Sequence, residues 1–150
     1  MSPRQALHDA EVAHVARALR ARGCEVLLTR RRATPTAPAG DLRVNGRTVA
    51  VITARTQTKQ HGVTTRGKRY VYRYSGAYWN LQSHAQRRRP VDLYVFVWLD
   101  PHGRAHRFVV PGALMSRRWN LAVLPLRPLA DGRHWLCAYR NAWQHAQAAA

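Results

Sequence analysis

Asn45-Gly46, set between the runs Asp41-Leu42-Arg43-Val44 and Arg47-Thr48-Val49-Ala50-Val51-Ile52, constrains this chain more than any other feature. A type I′ turn needs positive φ at both central residues, and Asn-Gly tolerates that well. A two-residue loop then sets the register by counting outward. Val44 opposes Arg47, Arg43 opposes Thr48, Leu42 opposes Val49, and Asp41 opposes Ala50. Side chains alternate across a strand, so Leu42, Val44, Val49 and Val51 form an apolar face to be buried. Asp41, Arg43, Thr48, Ala50 and Ile52 share the other face. Directly opposed residues hold their Cβ atoms roughly 4.5–5.5 Å apart. Ala50 is therefore expected beside Asp41, with Ile52 one step along.

The flanking segments read as a mixed α and β chain. Residues 4–22 carry an apolar stripe (Leu7, Ala10, Val15, Ala18, Leu19) at helical spacing, with Ser2-Pro3 as a start signal and Gly23 as a stop. Cys24 to Thr29 reads as a short buried strand, and Tyr70 to Tyr74 alternates like one. Val91 to Leu99 is a central strand, turned by Pro101-His102-Gly103 into a returning strand at His106 to Val110. A short helix through Arg118, a strand at Leu121 to Leu124 and a closing helix from Trp135 to Gln147 complete the reading. Trp135 and Trp143 then share one helix face as core residues. The expected fold is α/β or α+β, a mixed central sheet flanked by helices, and 150 residues suit one domain.

Charge narrows the partners. Twenty-five Lys and Arg face seven Asp and Glu, for a net charge of +18, and all the basic residues except Lys59 and Lys68 are arginine. Arginine's planar fork suits phosphate, and a shortage of acids on this scale points to a polyanion, most simply nucleic acid, DNA ahead of RNA. No run is long enough to span a membrane, the N-terminus lacks the apolar core of a secretory signal, and a cytoplasmic location is the expectation. Cys24 and Cys137 are isolated, and the eight histidines show no ligand spacing.

The helix, strand and Asp-led hairpin, with Gly40-Asp41 opening one strand and Val49-Ala50-Val51-Ile52-Thr53-Ala54-Arg55 closing its partner, resemble the PD-(D/E)XK nuclease superfamily, the restriction-endonuclease-like fold. Trp79-Asn80-Leu81, Val91 to Val97 and Phe108-Val109-Val110-Pro111 continue the resemblance, which covers roughly Leu7 to Pro111. It implies that Asp41 matches the first metal-binding aspartate, while Ala50 stands where a second acid belongs and Ile52 where a lysine belongs. Active members place Mg²⁺ between carboxylates to polarise the phosphate and activate water, and use the lysine to stabilise developing charge. Ala50 offers no oxygen and Ile52 no charge, so the implied protein is a nucleic-acid-binding pseudoenzyme that requires no cofactor. Relatives of this fold often dimerise, which makes a homodimer an expectation by analogy.

Two other readings stay open at this stage. A rearranged catalytic pair of Asp41 and Glu11 would bind Mg²⁺, with Asp41 as metal ligand, and act as a structure-selective, resolvase-like DNA endonuclease. A catalytically dead scaffold would instead bind another protein. Asp41 can equally be a hairpin-edge residue paired with Arg43 or Arg69, and Asp92 reads as a cap or as the partner of an arginine. The residues expected to meet nucleic acid are Arg43, Arg55, Lys59, Arg66, Lys68, Arg69, Arg73, Arg87, Arg88 and Arg89. The tyrosines among them are expected to pack mostly on the core.

Overall fold

The computed structural model describes residues 2–31, 40–81, 91–115, 118 and 120–147, without the side chains of Arg30, Arg31 and Lys59. The fold is α+β: a five-stranded mixed sheet, a smaller three-stranded sheet, one long helix and two short ones.

Helix α1 (Pro3–Ala21) starts where the sequence signals it. The Ser2 side chain accepts from the Gln5 N–H at 3.1 Å, Pro3 occupies the first turn, and Gly23 leaves the helix at φ +84°. Its buried face is Glu11, Val12, Val15, Ala16 and Leu19. Ala10, assigned to the apolar stripe, is exposed.

Strands β1 (Val26–Arg31), β2 (Gly40–Val44), β3 (Arg47–Arg55), β6 (Leu93–Leu99) and β7 (Ala105–Pro111) form the main sheet in the order β1-β2-β3-β6-β7. Three of the four counted hairpin pairs are observed, Leu42↔Val49, Arg43↔Thr48 and Val44↔Arg47, and the ladder stops before Asp41 and Ala50. Asn45 and Gly46 have φ of 49° and 81°. β3 and β6 run parallel, pairing Ala50 with Tyr94 and Ile52 with Phe96. Leu42, Val44, Val49 and Val51 pack with Val12, Val15 and Leu19 of α1 in one core cluster. Ala50 and Ala54 belong to a second cluster on the opposite face, with Tyr94, Phe96, Trp79 and Phe108, and Ile52 packs against it.

β1 departs from the buried strand expected at Cys24 to Thr29. It is an edge strand, and Leu27 and Leu28 are 54% and 48% exposed. Val26 at its start, and Cys24 just before it, join the α1 cluster.

The chain leaves β3 into β4 (Gln57–Thr65) and returns as β5 (Lys68–Asn80) around a second two-residue turn, Arg66-Gly67, with φ of 51° and 75°. The far half of β5 pairs with β8 (Asn120–Val123). There Ala77, Trp79, Leu121 and Val123 enter the second cluster, and the Trp79 indole N–H donates to the Val97 carbonyl at 3.1 Å. This small sheet closes the face that carries Ala50.

The closing segment is not the continuous helix expected over Trp135 to Gln147. A 3-10 turn (Trp135–Tyr139) leads to an extended Arg140 bridged to Phe108, then Asn141 at φ 50°, then a short helix (Gln144–Gln147). Leu136 lies in the second cluster and Trp143 in the first, so this segment wraps the outer edge of β7 from one face of the sheet to the other. Covering that edge satisfies backbone groups that a straight helix would leave uncovered; Asn141 N–H, for example, donates to the Arg107 carbonyl at 2.9 Å. Trp143 is buried as expected, but Trp135 is 40% exposed. A 3-10 turn at Gly112–Met115 replaces the helix expected through Arg118. Among the described residues no helix is long and apolar enough to cross a membrane.

Candidate functional site

Asp41 sits one residue beyond the last pair of the β2–β3 ladder. Its Oδ2 accepts the Val51 N–H at 2.7 Å, so the carboxylate takes over a backbone donor of β3 where the ladder stops. Its Oδ1 lies 2.9 Å from Nε2 of His8 on α1. The carboxylate thus engages the helix side of the sheet, while Ala50 and Ile52 face the second cluster. The register holds from Leu42 to the turn, but Asp41 does not pair with Ala50 and its side chain does not keep the shared face expected for it. Asp92 acts in a similar way near the start of β3, its Oδ2 accepting the Thr48 N–H at 2.8 Å, which is the cap rather than the arginine pairing expected as its alternative.

Glu11 is held by a different partner. Arg107 of β7 grips it in a two-pronged ion pair, Nε to Oε2 at 2.9 Å and Nη2 to Oε1 at 3.2 Å. Each of the four oxygens of Glu11 and Asp41 therefore already accepts a hydrogen bond from the protein. Mg²⁺ favours oxygen ligands in near-octahedral geometry, and this donor set does not fit it: a cation here would compete with the Arg107 guanidinium and the His8 ring. Among the described residues no group of three His, Cys, Asp or Glu could hold a metal ion. Ala50 and Ile52 pair with aromatic residues of β6, Tyr94 and Phe96. Tyr94 and Phe96 stack with centroids 5.4 Å apart, and Trp79 meets Phe96 edge-on at 5.7 Å. Burial pushes the Tyr94 hydroxyl up to about 12, a sign of how dry this face is.

The His8–Asp41 contact leaves a pH signature. The hydrogen bond to Asp41 raises the His8 pKa, and partial burial opposes the shift without cancelling it. A raised native pKa stabilises fully below the unfolded value of about 6.5, and the gain disappears as pH rises through the native pKa. The stability difference between the protein and His8→Ala should accordingly be largest below pH ~6.5 and shrink above it. Denaturant melts across this range measure it; a difference that does not vary with pH would show that His8 is not charged against Asp41.

A second polar cluster closes the far end of β6 and β7. His106 Nε2 lies 2.9 Å from Asp100 Oδ2, and its Nδ1 lies 2.6 Å from Arg140 Nη1. Arginine only donates, so Nδ1 is the acceptor and the ring carries its proton on Nε2. With both nitrogens engaged, and with the ring stacked on Trp98 at 4.6 Å, His106 fastens the closing segment to the sheet. The His106 hydrogen bond, helped by the N–H groups of Arg104 and His102, lowers the Asp100 carboxyl to about 2.

The cations expected at a nucleic-acid surface fall in four places. Arg66, Lys68, Arg69 and Arg73 are exposed on the β4–β5 hairpin, and Lys59 lies on the same hairpin opposite Tyr74. Arg55, exposed, ends β3 just before the hairpin begins. Arg43, also exposed, lies on β2 beside the Asn-Gly turn, its Nε 3.4 Å from the Gly46 carbonyl. Arg87, Arg88 and Arg89 lie outside the described residues.

The hairpin is an arm. No residue from Gln57 to Ser75 belongs to either core cluster. From Thr56 to Asn80 the chain has no Asp or Glu. The ion pairs among the described residues join His8, His106, Arg107, Arg127 and Arg133 to acids elsewhere, leaving the arm's charge uncompensated. No family model, curated protein or solved structure matches the chain.

The arm's two faces differ. Arg69 and Arg73 alternate with Val71 on one face, and the Arg69 guanidinium lies across Gly62, where an added Cβ would meet its Nε at 3.3 Å. On the other face, Tyr70, Tyr72 and Tyr74 oppose Val63, His61 and Lys59. Tyr70 and Tyr72 are 46% and 49% exposed, which corrects the expectation that the tyrosines pack on the core. The core pattern is legible only where β5 pairs with β8, from Ala77 onward. A signal for the arm existed in the sequence: Arg66-Gly67 separates two runs that alternate without an apolar face.

Proposed function

We propose that this protein binds nucleic acid through its β4–β5 arm and does not hydrolyse it, on a core of the PD-(D/E)XK type that has lost its metal site. The observation that carries the reading is an acid-free hairpin, projecting from the core, with Arg66, Lys68, Arg69 and Arg73 exposed and outside any ion pair among the described residues. Arginine and lysine set at intervals along a ribbon match the repeat of a phosphate backbone, and binding releases the backbone's condensed counterions. The absence of hydrolysis is supported by the carboxylates. Asp41 and Glu11 hold His8, Val51 and Arg107 in place, and the positions of the second acid and the lysine carry Ala50 and Ile52.

The test is a mobility-shift titration over duplex, single-stranded and branched DNA and matched RNA, with and without Mg²⁺ or Mn²⁺. Four or five phosphate contacts predict a loss of roughly a hundredfold or more in affinity between 50 and 200 mM salt. Arg69→Ala and Arg73→Ala should each flatten the salt slope by about one. Salt-insensitive binding, or none at low salt, overturns the proposal. Metal-dependent nicking abolished by Asp41→Ala would replace it with the endonuclease.

A further inference from the structure

We infer that the tyrosine face of the arm is a stacking platform for unpaired bases, so that the preferred ligand is single-stranded nucleic acid or the unpaired segment of a branched one. This rests on the nucleic-acid reading above and deepens it. Residues two apart on a strand lie about 6.6 Å apart on one face. Tyr72 and Tyr74 follow that spacing, with ring centroids 6.5 Å apart and planes inclined by only 21°, so their faces look in nearly the same direction. Tyr70 continues the row toward the turn, and it and Tyr72 are 46% and 49% exposed among the described residues.

An exposed aromatic face needs a flat apolar partner. Duplex DNA does not offer one: each base face is covered by its neighbour at about 3.4 Å, and only base edges and phosphates reach the grooves. An unstacked strand offers one face per nucleotide, and it can stretch to match rings set at twice the stacked spacing. Cations stand on both faces of the arm: Lys68 shares the tyrosine face at its tip, and Arg69 and Arg73 project from the opposite face of the ribbon. The tyrosines therefore select base faces while the cations hold the phosphates.

The experiment uses the full chain and fluorescence anisotropy with a labelled 15-nucleotide oligothymidylate and a duplex of equal length at one salt concentration. The protein should prefer the single strand. Replacing Tyr70, Tyr72 and Tyr74 together with alanine should lower single-strand affinity by about tenfold per ring engaged, leaving duplex affinity and salt slope unchanged. Replacing all three with phenylalanine keeps the rings and should keep the affinity, which separates stacking from hydroxyl hydrogen bonding and guards against damage to the arm. Arg69→Ala with Arg73→Ala should weaken both probes. Duplex preference, or an alanine variant that binds the single strand as well as the parent, sinks the platform while leaving the nucleic-acid reading intact. Failure of the parent to bind either probe at low salt sinks both.

Discussion

Glu11→Ala should lower the free energy of unfolding by about 3–5 kcal/mol, because it leaves the Arg107 guanidinium without its counter-charge in a largely buried site. Glu11 is the one charged residue buried among the described residues, and the side chains of Glu11 and Arg107 are only 10% and 17% exposed. Removing both charges together, as Glu11→Leu with Arg107→Met, should recover most of the loss, since apolar side chains of similar size avoid the desolvation cost. Thermal and urea melts of the three variants measure this. Repeating them with Mg²⁺ separates the two roles of Glu11. A structural ion pair leaves the parent's melting point indifferent to the metal, whereas a metal ligand would raise it in the parent and not in Glu11→Ala. Metal-dependent stabilisation confined to the parent would return Glu11 to the catalytic pair.

Ala50→Glu should be at least as damaging. Ala50 is 3% exposed, pairs in register with Tyr94, and lies in the cluster closed by Trp79 and the β5–β8 sheet. A glutamate there adds volume to a packed layer and buries a carboxylate without an arginine to meet it, costing about 3 kcal/mol or more. Burial raises that carboxyl's pKa, so the variant should be least unstable in acid and lose ground as pH rises past the unfolded value near 4.3. Ile52→Lys should cost less, because Ile52 is only half-buried and a lysine stem can carry its ammonium outward. Together the two changes introduce the residue types that the nuclease resemblance implies at these positions. No metal-dependent cleavage is expected from the pair, because Asp41 remains tied to His8 and Val51. A double variant that melts like the parent and cuts DNA with Mg²⁺ would mean that the second face opens in solution.

Both variants probe the same difference between pattern and packing. The hairpin register was legible because turn chemistry is local: Asn45-Gly46 selects a two-residue loop, and the period of a strand does the rest. The identity of β6 was legible for a related reason: an unbroken apolar run of strand length, rich in valine and aromatic residues, suits a strand covered on both faces. The closing segment was misread because Trp135, Tyr139 and Trp143 have helical spacing. That spacing says nothing of a sheet edge to be wrapped, and wrapping it requires the extended Arg140 and the positive φ of Asn141. The arm's tyrosines were misplaced for the opposite reason. Alternating aromatics usually mark a buried face, and whether another layer covers them is not encoded within the strand.

The candidate site divides along the same line. The sequence alone established the turn, the pairing of Leu42 with Val49, the common face of Ala50 and Ile52, and a stretch rich in cations and free of acids just downstream. These are consequences of residue type and of the two-residue period. Only the tertiary structure decided where the Asp41 carboxylate points, which partner holds Glu11, and what covers Ala50. Each depends on contacts between residues far apart in the chain: α1 with β2, α1 with β7, and β5 with the second face of the main sheet. Pairing across such distances is set by how whole elements pack, and no local pattern carries it.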